Sequence, residues 1–127
     1  MAKNQRFDEG RKITLNVSAN NGSGTGDLVK SGDPGANGVL PWVALTDEDA
    51  DGIATVVCDG VYDLAVFGHD GTANAAIAVG DKVVWNDAAG TLRKTPGLAG
   101  GIAFGIALGA VSSGATTTIP VKIVPGI

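Results

Sequence analysis

The sequence predicts an all-β protein: a small glycine-rich β-barrel preceded by an extended N-terminal arm. Three observations carry that expectation. Glycine supplies 20 of the 127 residues and proline another five, a density that suits many short elements joined by tight turns. Nowhere do apolar residues keep the i, i+3, i+4, i+7 spacing long enough to make a convincing helix. Short runs rich in β-branched residues recur instead, each bounded by Gly, Asp, Asn, Ser or Pro, the residues that turns favour. With 44% hydrophobic and 17% charged residues, the chain is apolar enough to bury a core and is not a disordered tail.

Taken in order, the first run is "KITLNV", which alternates Ile13, Leu15 and Val17 with Thr14 and Asn16 and so reads as a half-buried strand. "NVSANNGSGTG" at 16–26 is a flexible connector. "DLVKSG" reads as a second strand. "SGDPGANG" at 31–38 carries too many breakers for regular structure and reads as a surface loop. "VLPWVALT", "IATVVC", "VYDLAVFG", "DKVVWN", "TLRKT", "GIAFGIALGAV" and "TTTIPVKIV" follow as strands. Pro41 and Pro120 fall inside two of them, which predicts edge positions or bulges there. The clearest hairpin is "DKVVWNDAAGTLRKT", where the four-residue turn "DAAG" joins two short strands. About eight to ten strands in one closed or nearly closed barrel are expected, with residues 1–12 as the arm and 13–127 as the single barrel domain. There is also an internal echo: "VALTDEDADGIATVV" (43–57) resembles "IALGAVSSGATTTIPV" (106–121). Both read as a strand ending in Ala-Leu, a small loop with Gly, then a β-branched strand.

Charge is unevenly spread. The net charge is −4, but residues 1–12 hold Lys3, Arg6, Arg11 and Lys12 against Asp8 and Glu9, a balance of +2, while the rest holds five basic and eleven acidic residues, a balance of −6. An acidic body repels phosphate backbones, so no nucleic-acid partner is expected. The basic leader reads either as an arm that docks on something acidic or as a solvated terminus. "MAKNQRFDEG" has no apolar core of a secretion signal, and "LAGGIAFGIALGAV" (98–111) is too short for a membrane span. A single cysteine, Cys58, precludes an intrachain disulfide and suits synthesis in a reducing cytoplasm.

The stretches that could carry chemistry do not add up to an active site. "DEDADG" supplies Asp47, Asp49, Asp51 and Gly52, the first half of an EF-hand loop, but Cys58 stands where the bidentate Glu is required, and a soft thiol does not suit a hard cation. The competing reading, a solvated acidic turn between strands, is preferred, and no metal or cofactor is expected. His69 is the only histidine; its neighbour Asp70 should point to the opposite face of a strand, and the flanking glycines suggest an exposed turn. Cys58 lies in an apolar run and reads as a small buried hydrophobe. "GSGTGD" lacks the Gly-Lys-Ser/Thr of a phosphate loop. Trp42 and Trp85 are core residues or subunit-interface anchors. An enzyme is not expected.

The order of features says more than any one of them. A short "MAKN" leads to "GRKITL", then "GDLV", "VALTD", "DGVYDL", "AIAVGDKVVWNDAAGTL" and "FGIALGAVSSGATTTIPVKI". Together these resemble the tailed-phage capsid cement, or head decoration, proteins over nearly the whole chain, most specifically at 77–92 and 104–123. The "SGDPGANG" loop is longer than the connection usual in that family. The resemblance implies a structural virion protein, an all-β barrel that assembles as a homotrimer on the outer capsid surface and bridges neighbouring subunits of the major capsid protein. It would be synthesised in the cytoplasm of the host bacterium and would meet no membrane. The arm would lie extended on the shell, with Phe7 as an apolar anchor and Lys3, Asn4 and Arg6 beside it, the two cations facing acidic capsid surface. The competing reading is a small β-barrel module that binds carbohydrate through Trp42 or Trp85.

Overall fold

The computed structural model describes residues 12–18, 28–86, 91–94 and 101–124. These residues form nine strands: β1 (Lys12–Asn16), β2 (Pro34–Asn37), β3 (Leu40–Ala44), β4 (Ile53–Val57), β5 (Val61–Phe67), β6 (Lys82–Asn86), β7 (Thr91–Lys94), β8 (Gly101–Ala107) and β9 (Thr116–Ile123). The strand number agrees with expectation, but the strands do not share one barrel. Four make a sheet in the order β1-β4-β3-β2, and five close a barrel in the order β5-β7-β6-β8-β9. The division falls after β4, where the chain turns through Gly60 and β5 takes β9 as its partner along its whole length, from Val61↔Lys122 to Phe67↔Thr116. A short parallel contact, Val66↔Leu92 and Phe67↔Arg93, closes the barrel.

Two hydrophobic clusters follow from this division. Leu64, Val66, Val83, Trp85, Leu92, Phe104, Ile119 and Val121 fill the barrel, and Ala36, Val43 and Val57 of the sheet join them from outside. The opposite face of the sheet carries the second cluster, built on Trp42 with Val17, Val29, Ala44, Ala54, Val56 and Cys58. Successive strand residues point to opposite faces, so β3 and β4 serve both clusters at once, which is why β3 is buried at four consecutive positions. The first sheet curls around its tryptophan. The Asn37 side chain on β2 donates from Nδ2 to the Asn16 carbonyl on β1 (2.9 Å) and accepts the Trp42 indole N–H at Oδ1 (3.1 Å), linking the two outer strands of the sheet.

Two segments depart from the expectation. "SGDPGANG" contains strand β2, paired with β3 from Pro34↔Val43 to Asn37↔Leu40. Its breakers fit the strand they were expected to prevent. Pro34 is the first residue of a strand at the end of the sheet order, a position proline tolerates. Gly35 lies under the Trp42 ring, where a Cβ would come within 2.4 Å of Cη2. Conversely, "DLVKSG" is no strand across residues 28–32, because its backbone groups go to side chains and turns. Val29 N–H donates to Glu48 Oε1 (3.1 Å) and Lys30 N–H to Asp33 Oδ2 (2.9 Å).

Pro41 and Pro120 both sit where their strand has a neighbour on one side only. β3 meets β4 only at Val43 and Ala44, so Pro41 has β2 alone beside it. β9 meets β8 only from Val121 onward, leaving Pro120 to β5 and to the Leu108 N–H that its carbonyl accepts. Of the predicted 81–95 hairpin, β6 and β7 pair antiparallel from Val83↔Lys94 to Asn86↔Thr91; its "DAAG" turn lies outside the described residues.

Candidate functional site

The arm residues Lys3, Asn4, Arg6 and Phe7 lie outside the described residues. β1 begins at Lys12, the last residue assigned to the arm by sequence, which pairs with Val57. Of the two placements open to the tryptophans, the structure puts both in the interior of one chain. Trp42 is wholly buried in the sheet cluster, and Trp85 is 4% exposed in the barrel. Neither indole offers a face on which a sugar could stack, so the tryptophan-based carbohydrate reading has no surface to work with.

The acidic turn is a hydrogen-bonded cap. Asp49 Oδ1 accepts the N–H groups of Asp51 and Ile53, both at 2.9 Å. Asp47 Oδ1 accepts Ser31 N–H at 2.8 Å. Glu48 is buried and its Oε1 accepts Val29 N–H. The carboxylates therefore turn toward backbone donors of the turn itself and of segment 28–31, which is the acidic-turn reading of the sequence. Among the described residues no group of three His, Cys, Asp or Glu is placed to hold a metal ion.

His69 is half-buried rather than exposed, because its ring stacks on Phe67 with centroids 5.3 Å apart and planes 12° apart. Arg93 lies over the same Phe67 ring at 5.4 Å, the geometry of a cation–π contact. His69 Nδ1 accepts Gly71 N–H at 2.8 Å. Asp70 Oδ1 accepts the Ala73 and Thr72 N–H groups, both at 2.9 Å. Those two donors hold its carboxyl below the usual range, with the neighbouring His69 adding to the effect. Asp81 is lowered likewise, first by Ala78 N–H and then by Lys94, whose Nζ stands 3.5 Å away. Cys58 is buried, and burial pushes its thiol up, with Asp59 adding to the shift. A raised thiol pKa means less thiolate and a less reactive cysteine. These groups build turns and core.

What remains for function is surface. Among the described residues the exposed large apolar side chains are Leu28, Val39, Leu45, Val61, Val79 and Leu108. Leu45 and Leu108 occupy matching places in the two halves of the sequence echo. Each follows a buried alanine, Ala44 or Ala107, at the end of a strand. Each donates its N–H to the opposing strand, Leu45 to Thr55 at 2.8 Å and Leu108 to Pro120 at 2.9 Å. Each opens an eight-residue connection, 45–52 or 108–115, that contains a glycine of left-handed conformation, Gly52 at φ 80° or Gly114 at φ 76°. Sequence reasoning found the echo but not the pair of leucines it presents, because Ala-Leu at a strand end reads as core until the sheet shows which of the two points outward.

A family model described as phage cement protein matches residues 7–123 of the chain. The searches of curated proteins and of solved structures found no match.

Proposed function

The chain belongs to the phage cement protein family, and we propose that it works as a homotrimer on the outer surface of the head, bridging neighbouring major capsid protein subunits through its N-terminal arms. As a member of that family it is a structural protein of the virion, not an enzyme, and it associates with the phage capsid. The observation that supports the reading is the extent of the match, which begins at Phe7 and ends at Ile123, the last residue of β9.

The physics of cementing follows from multivalency. Packed DNA repels itself and loads the shell, and shell subunits fail by separating at their contacts. A trimer with three arms holds several subunits together. Once one arm is bound, the second and third contacts form within the same complex at high effective concentration, so modest single contacts give high avidity. In this reading Phe7 is the apolar anchor of each arm, and Lys3 and Arg6, with Asn4 beside them, meet acidic capsid surface. The chain is made in the host cytoplasm, which its single cysteine suits.

Deleting residues 2–9 tests this directly. Purified wild-type and truncated proteins are added to undecorated expanded heads, and bound copies are counted by imaging. Loss of binding by a truncated protein that remains a folded trimer is the expected result. Unchanged occupancy overturns the arm's role.

A further inference from the structure

We propose, resting on the trimeric reading above, that neighbouring copies of the chain meet head to tail, the corner around Leu108 of one copy seating against the acid-rimmed corner around Leu45 of the next. The two surfaces are built from the same hairpin design but differ in character. At the barrel corner, Leu108 is 41% and Val79 65% exposed. Gly80 N–H donates to the Ala107 carbonyl at 2.8 Å, which holds the two apolar side chains on one corner. Lys82 and Lys122 flank it, standing on either side of Ile106 in the ladder. Asp63, opposite Pro120, is a carboxylate on the same face; Asp81 is engaged by Lys94.

At the sheet corner, Leu45 is 38% and Leu28 49% exposed. Segment 28–33 is laced to it by the Ser31 hydroxyl on the Leu45 carbonyl (3.0 Å) and by Glu48 N–H on the Val29 carbonyl (2.9 Å). Within segment 28–33 and the connection 45–52 the exposed carboxylates are Asp33, Asp47, Asp49 and Asp51, and the exposed cation is Lys30. One corner is therefore apolar with a lysine rim and the other apolar with a carboxylate rim. A chain that carries both halves of a complementary pair binds its own copies. Contact of unlike patches is heterologous and closes into a ring when the rotation permits. Contact of like patches would set carboxylates against carboxylates and is disfavoured.

The test is the solution mass of the full chain by light scattering, with circular dichroism and thermal melting as the check on folding. The wild type is expected to be a trimer that weakens as salt rises. Leu108→Glu, which sets a carboxylate against the acidic rim, and the double variant Lys82→Glu/Lys122→Glu should each fold and associate about tenfold or more weakly. Adding Asp51→Lys to the double variant should recover part of the loss. Trimers of both variants as tight as the wild type overturn this contact and leave the trimeric reading standing. A monomeric wild type overturns both.

Discussion

The two echoed corners of the molecule solve the same problem in different ways. Both turn a strand ending in buried alanine back on itself through an eight-residue connection, and both must find partners for the N–H groups of a turn outside the ladder. At 45–52 backbone carbonyls take the Glu48, Asp49 and Gly52 N–H groups. Side-chain oxygens of the same turn serve its surroundings as well: Asp49 caps Asp51 and Ile53 N–H, Thr46 Oγ1 accepts Thr55 N–H at 3.0 Å, and Asp47 and Glu48 accept Ser31 and Val29 N–H. At 108–115 the partners are backbone carbonyls of neighbouring loops, with Val111 and Ile77 exchanging bonds at 2.9 and 2.8 Å and Gly114 N–H donating to Gly68 at 2.8 Å. The carboxylates of the first corner thus take up N–H groups that no ladder reaches, Asp49 within the turn and at the start of β4, Asp47 and Glu48 in segment 28–31. A motif that looks like half a calcium loop is a substitute for missing backbone pairing.

The comparison extends to the cores beneath the corners, and the largest expected effect lies there. Trp42→Ala and Trp85→Ala should each cost about 3–5 kcal/mol, read by chemical denaturation. Because Ala36, Val43 and Val57 of the sheet pack into the barrel cluster, each variant should still unfold in one transition; two separated transitions would show the halves to be independent.

Next come the close approaches. A Cβ at Gly105 would come within 1.9 Å of the Lys122 carbonyl, and one at Gly35 within 2.4 Å of the Trp42 ring. Overpacking of this kind costs about 1–3 kcal/mol, occasionally more. Gly105→Ala should be the worse of the two, since a ring can tilt but a paired backbone must part. Equal midpoints in denaturant would contradict that ranking.

A smaller effect separates the corners themselves. Asp49→Ala should cost about 1 kcal/mol by removing the acceptor for two N–H groups, and Asp49→Asn, which keeps an oxygen there, should recover most of it. Ser113→Ala in the uncharged corner should stay within about 0.5 kcal/mol of wild type. A loss at Ser113 as large as at Asp49 would erase the distinction drawn here.

The smallest is a pH effect belonging to the barrel side. Asp70 and Asp81 have folded pKa values below their unfolded ones, so the unfolded chain binds more protons in acid. Their contribution is present above the ordinary aspartate value near about 3.9 and is lost as pH falls through the lower folded values. The melting midpoint should decline gently in that window, and Asp70→Asn/Asp81→Asn should flatten the decline.

Much of this was legible in the sequence. The alternation in "KITLN" gave β1, and "TTTIPVKI" gave β9, because β-branched residues bounded by turn formers leave few other conformations. Cys58 was legible as core from its apolar neighbours, and the echo was legible as two strand–loop–strand units. Strand β2 was not, because Pro, Gly and Asn are judged as breakers by their average behaviour. Here Pro34 stands at a strand start and Gly35 is required by a tryptophan that lies seven residues away in sequence. Nor was the division of nine strands between a sheet and a barrel legible. Strand content is written in local pattern, whereas partner choice between β4 and β9 for β5 depends on contacts distant in the chain. The surface corners were missed for the same reason.

The union of β5 with β9 has a bearing on time. These strands come from opposite ends of the barrel sequence, so the barrel cannot close until distant pieces of chain have found each other, and assembly dominated by such encounters is slow, in the millisecond-to-second range. The reverse journey is hindered as well, since β9 has β5 along most of its length and β8 beside Val121–Ile123 and must be stripped from both before the barrel opens. The half-life of that opening, more than its equilibrium constant, then sets how long the folded protein endures.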